Sequence, residues 1–198
     1  MKVISKDGTA IAYDKTGQGP ALVLVDGAFC YRAYGVSPKL VPLLSSHFTV
    51  FSYDRRGRGE SADTKPYTVE REIDDLKTIV DLTGEQPFVF GSSSGAALAM
   101  QAVGHGLSVK KIALFEPPYV VTSDRDTGPP NDAQLTLVNF IERGDRTGAV
   151  KYFMKDVMGM PAPIVFLFKL FGRSYWLICH TQGAHFHDQS TGNSDRRR

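Results

Sequence analysis

Cysteine is nearly absent from this chain: Cys30 and Cys179 are the two in 198 residues. A pair so far apart builds no disulfide framework of the kind small secreted domains rely on. The opening residues Met1-Lys2-Val3-Ile4-Ser5-Lys6 hold no apolar signal core before the turn dipeptide Asp7-Gly8, so a reducing cytoplasm is the expected compartment. Charge of one sign is missing too. The 23 Lys and Arg stand against 21 Asp and Glu, a net +2 that argues for neither nucleic acid nor an anionic membrane as partner. No apolar run suffices for a membrane span: the longest, from Pro161 to Cys179, is broken by Lys169, Gly172 and Arg173 and reads as a helix covering an apolar surface. Internal repeats are lacking as well. What is present, 42% hydrophobic and 22% charged residues, is ordinary for one globular domain with a sizeable core.

Val3-Ile4-Ser5 and Thr9-Ala10-Ile11-Ala12-Tyr13 flank Asp7-Gly8 as the two arms of a hairpin, followed by a loop from Asp14 to Pro20. Ala21-Leu22-Val23-Leu24-Val25 is apolar without alternation, which suits a strand buried on both faces and a sheet covered by helices. A short helix over Lys39 to Leu44 follows Pro38, and Phe48 to Tyr53 forms the next strand, ending in Asp54. Thr68 caps a helix with Glu70 in its first turn. Ile73, Leu76, Ile79 and Val80 form its apolar stripe, Gly84 closes it, and Glu72, Asp75 and Lys77 make the face expected in water. Lys111 to Phe115 is a further strand, ending at Glu116-Pro117-Pro118. Alternating strands and helices predict an α/β fold with a mostly parallel sheet flanked by helices.

The most informative stretch is Gly91-Ser92-Ser93-Ser94-Gly95. The apolar segment Pro87-Phe88-Val89-Phe90 precedes it, and the strong helix formers Ala96 to Val103 follow. Strand, glycine-bracketed serine and helix are the setting of a nucleophile elbow, in which the turn is too crowded for a β-carbon at either glycine. The spacing selects Ser93 among the three serines.

These features, with a strand ending in Asp26-Gly27 and another ending in Asp54-Arg55-Arg56-Gly57-Arg58-Gly59-Glu60-Ser61, resemble the α/β-hydrolase family, and most of all its small esterases and haloperoxidase-like hydrolases. The resemblance covers roughly residues 1 to 170. It implies a serine hydrolase for an ester or similar small acyl substrate, with Ser93 as nucleophile and the backbone N–H groups of Ala28 and Ser94 as oxyanion hole. It implies no cofactor and no metal. Phe29, Cys30 and Tyr31 beside the oxyanion loop suggest an apolar pocket for a small acyl group. Where the family commonly has His-Gly, this chain has Asp26-Gly27, whose carboxylate can order the loop instead. The order nucleophile, acid, histidine is met by Glu116 as acid and by His180, His185 or His187, with His185 taken as the base. The family's own acid and histidine normally follow two more strands after the cap. The chain therefore reads as a shortened or frame-shifted version of a longer hydrolase, and Lys111 to Phe115 as a bare sheet edge open to self-association.

Three segments are expected: a hydrolase core over 1–122, a partial helical cap over 123–179 with helices at Leu135 to Arg143 and Ala149 to Val157, and a polar, disordered tail over 180–198. His47 and His105, beside a strand start and a helix end, belong to caps or solvent, and His185-x-His187-Asp188 in a polar tail is a poor metal site. Arg55, Arg56 and Arg58, next to Asp54 and Glu60, suit a loop pinned by salt bridges. Two other functions compete. A hydrolase fold without working histidine would be a scaffold or binding module. Gly57-Arg58-Gly59-Glu60-Ser61-Ala62 imitates a dinucleotide fingerprint, which needs a helix opening on its glycines.

Overall fold

The computed structural model describes residues 1–119 and 129–171. Two compact units divide the chain, Met1–Tyr119 and Val120–Arg198. The first holds six strands, β1 (Lys2–Ile4), β2 (Ala10–Thr16), β3 (Ala21–Val25), β4 (Thr49–Tyr53), β5 (Phe88–Ser92) and β6 (Lys111–Phe115), and three helices, α1 (Ser37–Leu44), α2 (Val69–Asp81) and α3 (Ser94–Gly104). The strands lie in the order β1-β2-β4-β3-β5-β6. β3, β4, β5 and β6 run parallel, while β1 and β2 are antiparallel to their neighbours. The hairpin, the mostly parallel sheet and the helix order are those the sequence predicts.

The unbroken apolar run of β3 follows from its central place. Val23 and Val25 pack with Leu76, Ile79 and Val80 of α2 and Leu98, Ala99 and Ala102 of α3. Leu22 and Leu24 turn the other way, onto a smaller cluster with Leu40, Val41 and Leu44 of α1. Period-two alternation thus gives each face its own helix layer. β2 extends past Tyr13 to Thr16 because Asp14, Lys15 and Thr16 pair with Ser52, Phe51 and Val50 of β4, whereas their polarity reads as loop. β6 is the last strand among the described residues, and its side chains are largely bare, Phe115 being 57% exposed.

The polar face of α2 corrects the sequence reading. Glu72 and Asp75 are not solvated; they are 2% and 1% exposed. Arg55 Nε donates to Glu72 Oε2 at 2.6 Å, and Arg56 donates to Asp75 through Nε and Nη2, both at 2.7 Å. The arginine loop is pinned by ion pairs, but to α2 and Asp7 rather than to Asp54 and Glu60. Those two acids are taken by Arg32. Burial is tolerable because each charge is paired and hydrogen-bonded.

Asp7 carries a pH-dependent share of stability. Against its desolvation, hydrogen bonds from Thr9 N–H at 3.1 Å and Arg56 Nη1 at 2.9 Å hold its carboxyl well below the ordinary 3.8. A carboxyl depressed in the folded state stabilises above its unfolded value and loses that contribution as pH falls through the folded one. Asp7→Asn is expected to cost about 1 kcal/mol at pH 7 in urea unfolding, with the gap to wild type closing as the pH drops below about 4. A gap that persists unchanged at low pH would refute this origin.

The second unit is helical through its described residues: α4 (Ala133–Glu142), α5 (Arg146–Tyr152) continued by a π-helical turn over Phe153–Val157, and α6 (Ala162–Phe171). Asp145 caps α5, its Oδ1 accepting the Gly148 N–H at 2.8 Å. No helix among the described residues is long and apolar enough to cross a membrane. The expected disordered tail over 180–198, with His180, His185 and His187, lies outside the described residues.

Candidate active site

β5 hands over to α3 with one residue between them, Ser93. Its backbone sits at φ 51°, ψ −124°, a strained conformation for a residue with a side chain. Two anchors hold it there. The Ser93 N–H donates to the Phe115 carbonyl at 2.8 Å, and its own carbonyl accepts from Ala96 at 2.9 Å and Ala97 at 3.2 Å. Ser93 is exposed, Ser92 is buried, and the Ser94 hydroxyl accepts from Arg55 Nη1 at 3.1 Å. The environment thus separates three serines that composition leaves alike.

The flanking glycines are required by contact. A β-carbon on Gly91 would lie 2.7 Å from Ala96 Cα, and one on Gly95 would run into the carbonyl oxygen of Val25. Gly104, at the other end of α3, faces open space. Gly95→Ala is expected to destabilise by about 3 kcal/mol or more, because backbone has to move. Gly104→Ala should stabilise by about 0.5–1 kcal/mol as an ordinary helix substitution. Chemical denaturation of the two variants checks the contrast, and equal effects would remove the packing argument.

The loop after β3 lies against this elbow. A β-carbon on Gly27 would stand 3.1 Å from Ser93 Cβ and 3.2 Å from the Ser92 carbonyl. Among the described residues, the N–H groups of Ala28 and Ser94 donate to no backbone acceptor. Asp26 is 3% exposed, and burial pushes its carboxyl up despite hydrogen bonding from Ser37. Burial, and then Asp26, also pushes up the Cys30 thiol, which makes it a poor nucleophile. Two guanidinium groups hold the loop from behind: Arg55 Nη1 donates to the Asp26 carbonyl at 3.3 Å, and Arg58 Nη1 to the Gly27 carbonyl at 2.8 Å. Arg55 is itself fixed by Glu72, whose other oxygen accepts from Tyr67 Oη at 2.8 Å. This support was not read from the sequence. Its signal was there, an arginine pair after a strand and two acids three residues apart on the next helix.

Sequence and structure bring Ser93, Ser94, Gly27 and Ala28 together at the carboxyl ends of β3 and β5. Glu116 follows β6 one step beyond the Ser92 to Phe115 pairing; it is exposed, with φ 47°, and among the described residues no group hydrogen-bonds its carboxylate. His105 ends α3, its Nδ1 2.8 Å from the Gln101 carbonyl, and His47 precedes β4, so neither joins the elbow. Gly57 and Gly59 do not open a helix, since α2 begins only at Val69; the dinucleotide geometry is not formed there. Among the described residues no cluster of His, Cys, Asp and Glu could hold a metal ion.

A sequence model of the alpha/beta hydrolase family matches residues 22–196. This chain belongs to that family. An alpha/beta hydrolase from Sphaerobacter thermophilus DSM 20745 is 44% identical in sequence and superposes with a TM-score of 0.82, over 91% of this chain and 70% of that one. The uncharacterized hydrolase YraK of Bacillus subtilis (strain 168) is 32% identical over 118 residues, 56% of this chain and 42% of YraK. The esterase RhEst1 from Rhodococcus sp. ECU1013, at 18% identity and a TM-score of 0.62 over 92% of this chain and 67% of its own, shares the fold. The chain spans about two fifths of the length of the curated relatives it matches. The Ser93 turn and the loop after β3 lie outside the carboxyl ends of parallel strands, where open α/β sheets meet ligands.

Proposed function

We propose that this chain is a serine hydrolase acting on an ester or a similar small acyl substrate. The observation that carries the reading is Ser93, exposed at φ 51° between β5 and α3, beside two backbone N–H groups that no described backbone acceptor uses. Ser93 Oγ attacks the acyl carbon, its proton passing to a base. The carbonyl oxygen becomes an oxyanion held by Ala28 and Ser94 N–H, and collapse of the intermediate expels the alcohol and leaves an acyl-serine that water hydrolyses. The base is assigned to a histidine of the carboxyl-terminal segment, His185 first among His180, His185 and His187, with Glu116 as the acid that orients it. Phe29, Cys30 and Tyr31, partly buried beside the loop, favour a small apolar acyl group. The reading calls for no cofactor.

A fluorophosphonate that captures activated serines tests the assignment. The wild type is expected to be labelled and Ser93→Ala not. Equal labelling of both removes Ser93, and labelling of neither favours a hydrolase-fold scaffold that binds without turnover.

A further inference from the structure

Arg58 is unlike the other arginines of the first unit. Arg32, Arg55, Arg56 and Arg71 each meet a carboxylate at ion-pair distance. Arg58 meets none among the described residues, although it is partly buried. Burial and the neighbouring charge of Arg55 hold its pKa down at about 10, so it keeps its proton at neutral pH at a cost. The charges around it are Arg55, Glu72 and Asp26, with Tyr53, Tyr67 and Cys30 neutral at that pH. Glu72 is already committed to Arg55 and Tyr67. Among the described residues the charge of Arg58 is therefore met by no carboxylate at ion-pair distance, only by the more distant fields of Asp26 and Glu72, and a fold that only needed a loop tether had cheaper donors.

The hydrogen bond its guanidinium makes among the described residues says where the charge is aimed. Arg58 Nη1 donates to the carbonyl of Gly27, and the peptide joining Gly27 to Ala28 is trans. In a trans peptide the C=O and N–H point in opposite directions. A guanidinium fixed on the Gly27 oxygen thus turns the Ala28 N–H away from itself, and Gly27 is the residue whose absent β-carbon lets the loop lie against Ser93.

We propose that Arg58 is a positioning residue of the oxyanion hole, orienting and polarising the Gly27–Ala28 peptide from behind. This rests on the serine-hydrolase reading of the site. The bond draws electron density toward the carbonyl and makes the N–H at the far end a stronger donor, as in any hydrogen-bonded chain. When the substrate oxygen gains negative charge, the cation one peptide away interacts with it more favourably than with the neutral carbonyl. That difference lowers the barrier rather than tightening ground-state binding.

The test compares Arg58→Met and Arg58→Lys in the full chain, with two readouts. Hydrolysis of p-nitrophenyl acetate is expected to show kcat lower on the order of tenfold in R58M with KM little changed, and largely recovered in R58K, which keeps a charge and a donor. By NMR, the Gly27 carbonyl carbon is expected to shift in R58M while that of Val23, in the sheet centre, stays. A KM increase at unchanged kcat, or an unmoved Gly27 signal, overturns the proposal. If methionine at this place unfolds the chain, Arg58→Gln retains a donor without the charge and is expected to show the same fall in kcat; unchanged kcat overturns the electrostatic role. A wild type that neither turns over ester nor takes the phosphonate overturns the serine reading and the catalytic role of Arg58 with it. The carbonyl signal still decides whether Arg58 holds the peptide.

Discussion

Ser93→Ala is expected to lower kcat for an activated ester by about 10⁴ to 10⁶-fold, because on the proposed serine-hydrolase reading Ser93 forms the acyl intermediate and only the oxyanion hole and binding remain without it. The same substitution should leave stability nearly unchanged. Ser93 makes no side-chain hydrogen bond as the residue capping α3, and its strain lies in a backbone held by Phe115, Ala96 and Ala97, which alanine inherits. Ser93→Gly separates the two effects. It should be as inactive, yet more stable by about 1 kcal/mol, since glycine occupies φ 51° without penalty. Ester hydrolysis and urea unfolding on the three proteins provide the check. Turnover in Ser93→Ala within about tenfold of wild type would end its assignment as nucleophile.

The largest stability effect is expected at Arg56. Its side chain is fully buried and reaches three partners: Asp75 through two donors at 2.7 Å, Asp7 at 2.9 Å and the Arg71 carbonyl at 3.1 Å. Arg56→Met keeps the apolar length and strands Asp75 as an unpaired charge at 1% exposure. The expected cost is about 3–5 kcal/mol, a large part of a small domain's stability. Most of that cost is the abandoned carboxylate rather than a lost attraction. The double variant Arg56→Met, Asp75→Leu should therefore be clearly more stable than Arg56→Met alone, as when buried ion pairs are replaced by packed apolar groups. Urea midpoints decide it, and a single variant costing less than about 1 kcal/mol would mean that water reaches the pair.

These two sites also mark what the chain's sequence discloses. Ser93 was legible because its demand is local: glycines at 91 and 95 register a contact that no other residue survives, and a strand and a helix former frame them. The apolar run of β3 and the Thr68 cap, whose hydroxyl accepts the Arg71 N–H at 3.3 Å, are local in the same sense. Glu72 and Asp75 were misread because helical periodicity sees only a helix's own spacing. Their partners Arg55 and Arg56 lie 17 and 19 residues away, and a polar stripe meeting guanidinium looks the same as one meeting water. The strand from Asp14 to Thr16 was hidden for a like reason, since its ladder is made by backbone groups while its side chains look outward. For the candidate site, the strained serine and the glycine loop beside it could be named from residues, whereas the cations behind the loop needed the fold to bring them there.

The bond from the Ser93 amide to the Phe115 carbonyl has a further meaning for durability. Protection in a sheet runs from the centre outward, and the last strand opens before the core does. Ser93 hangs between the two regimes: α3 and β5 belong to the protected interior, but the amide that fixes its φ is tethered to β6, the outermost parallel strand among the described residues. The φ of Ser93 can thus be lost by fraying at β6 while the remainder of the sheet stays folded, so on the proposed reading activity would be lost before unfolding.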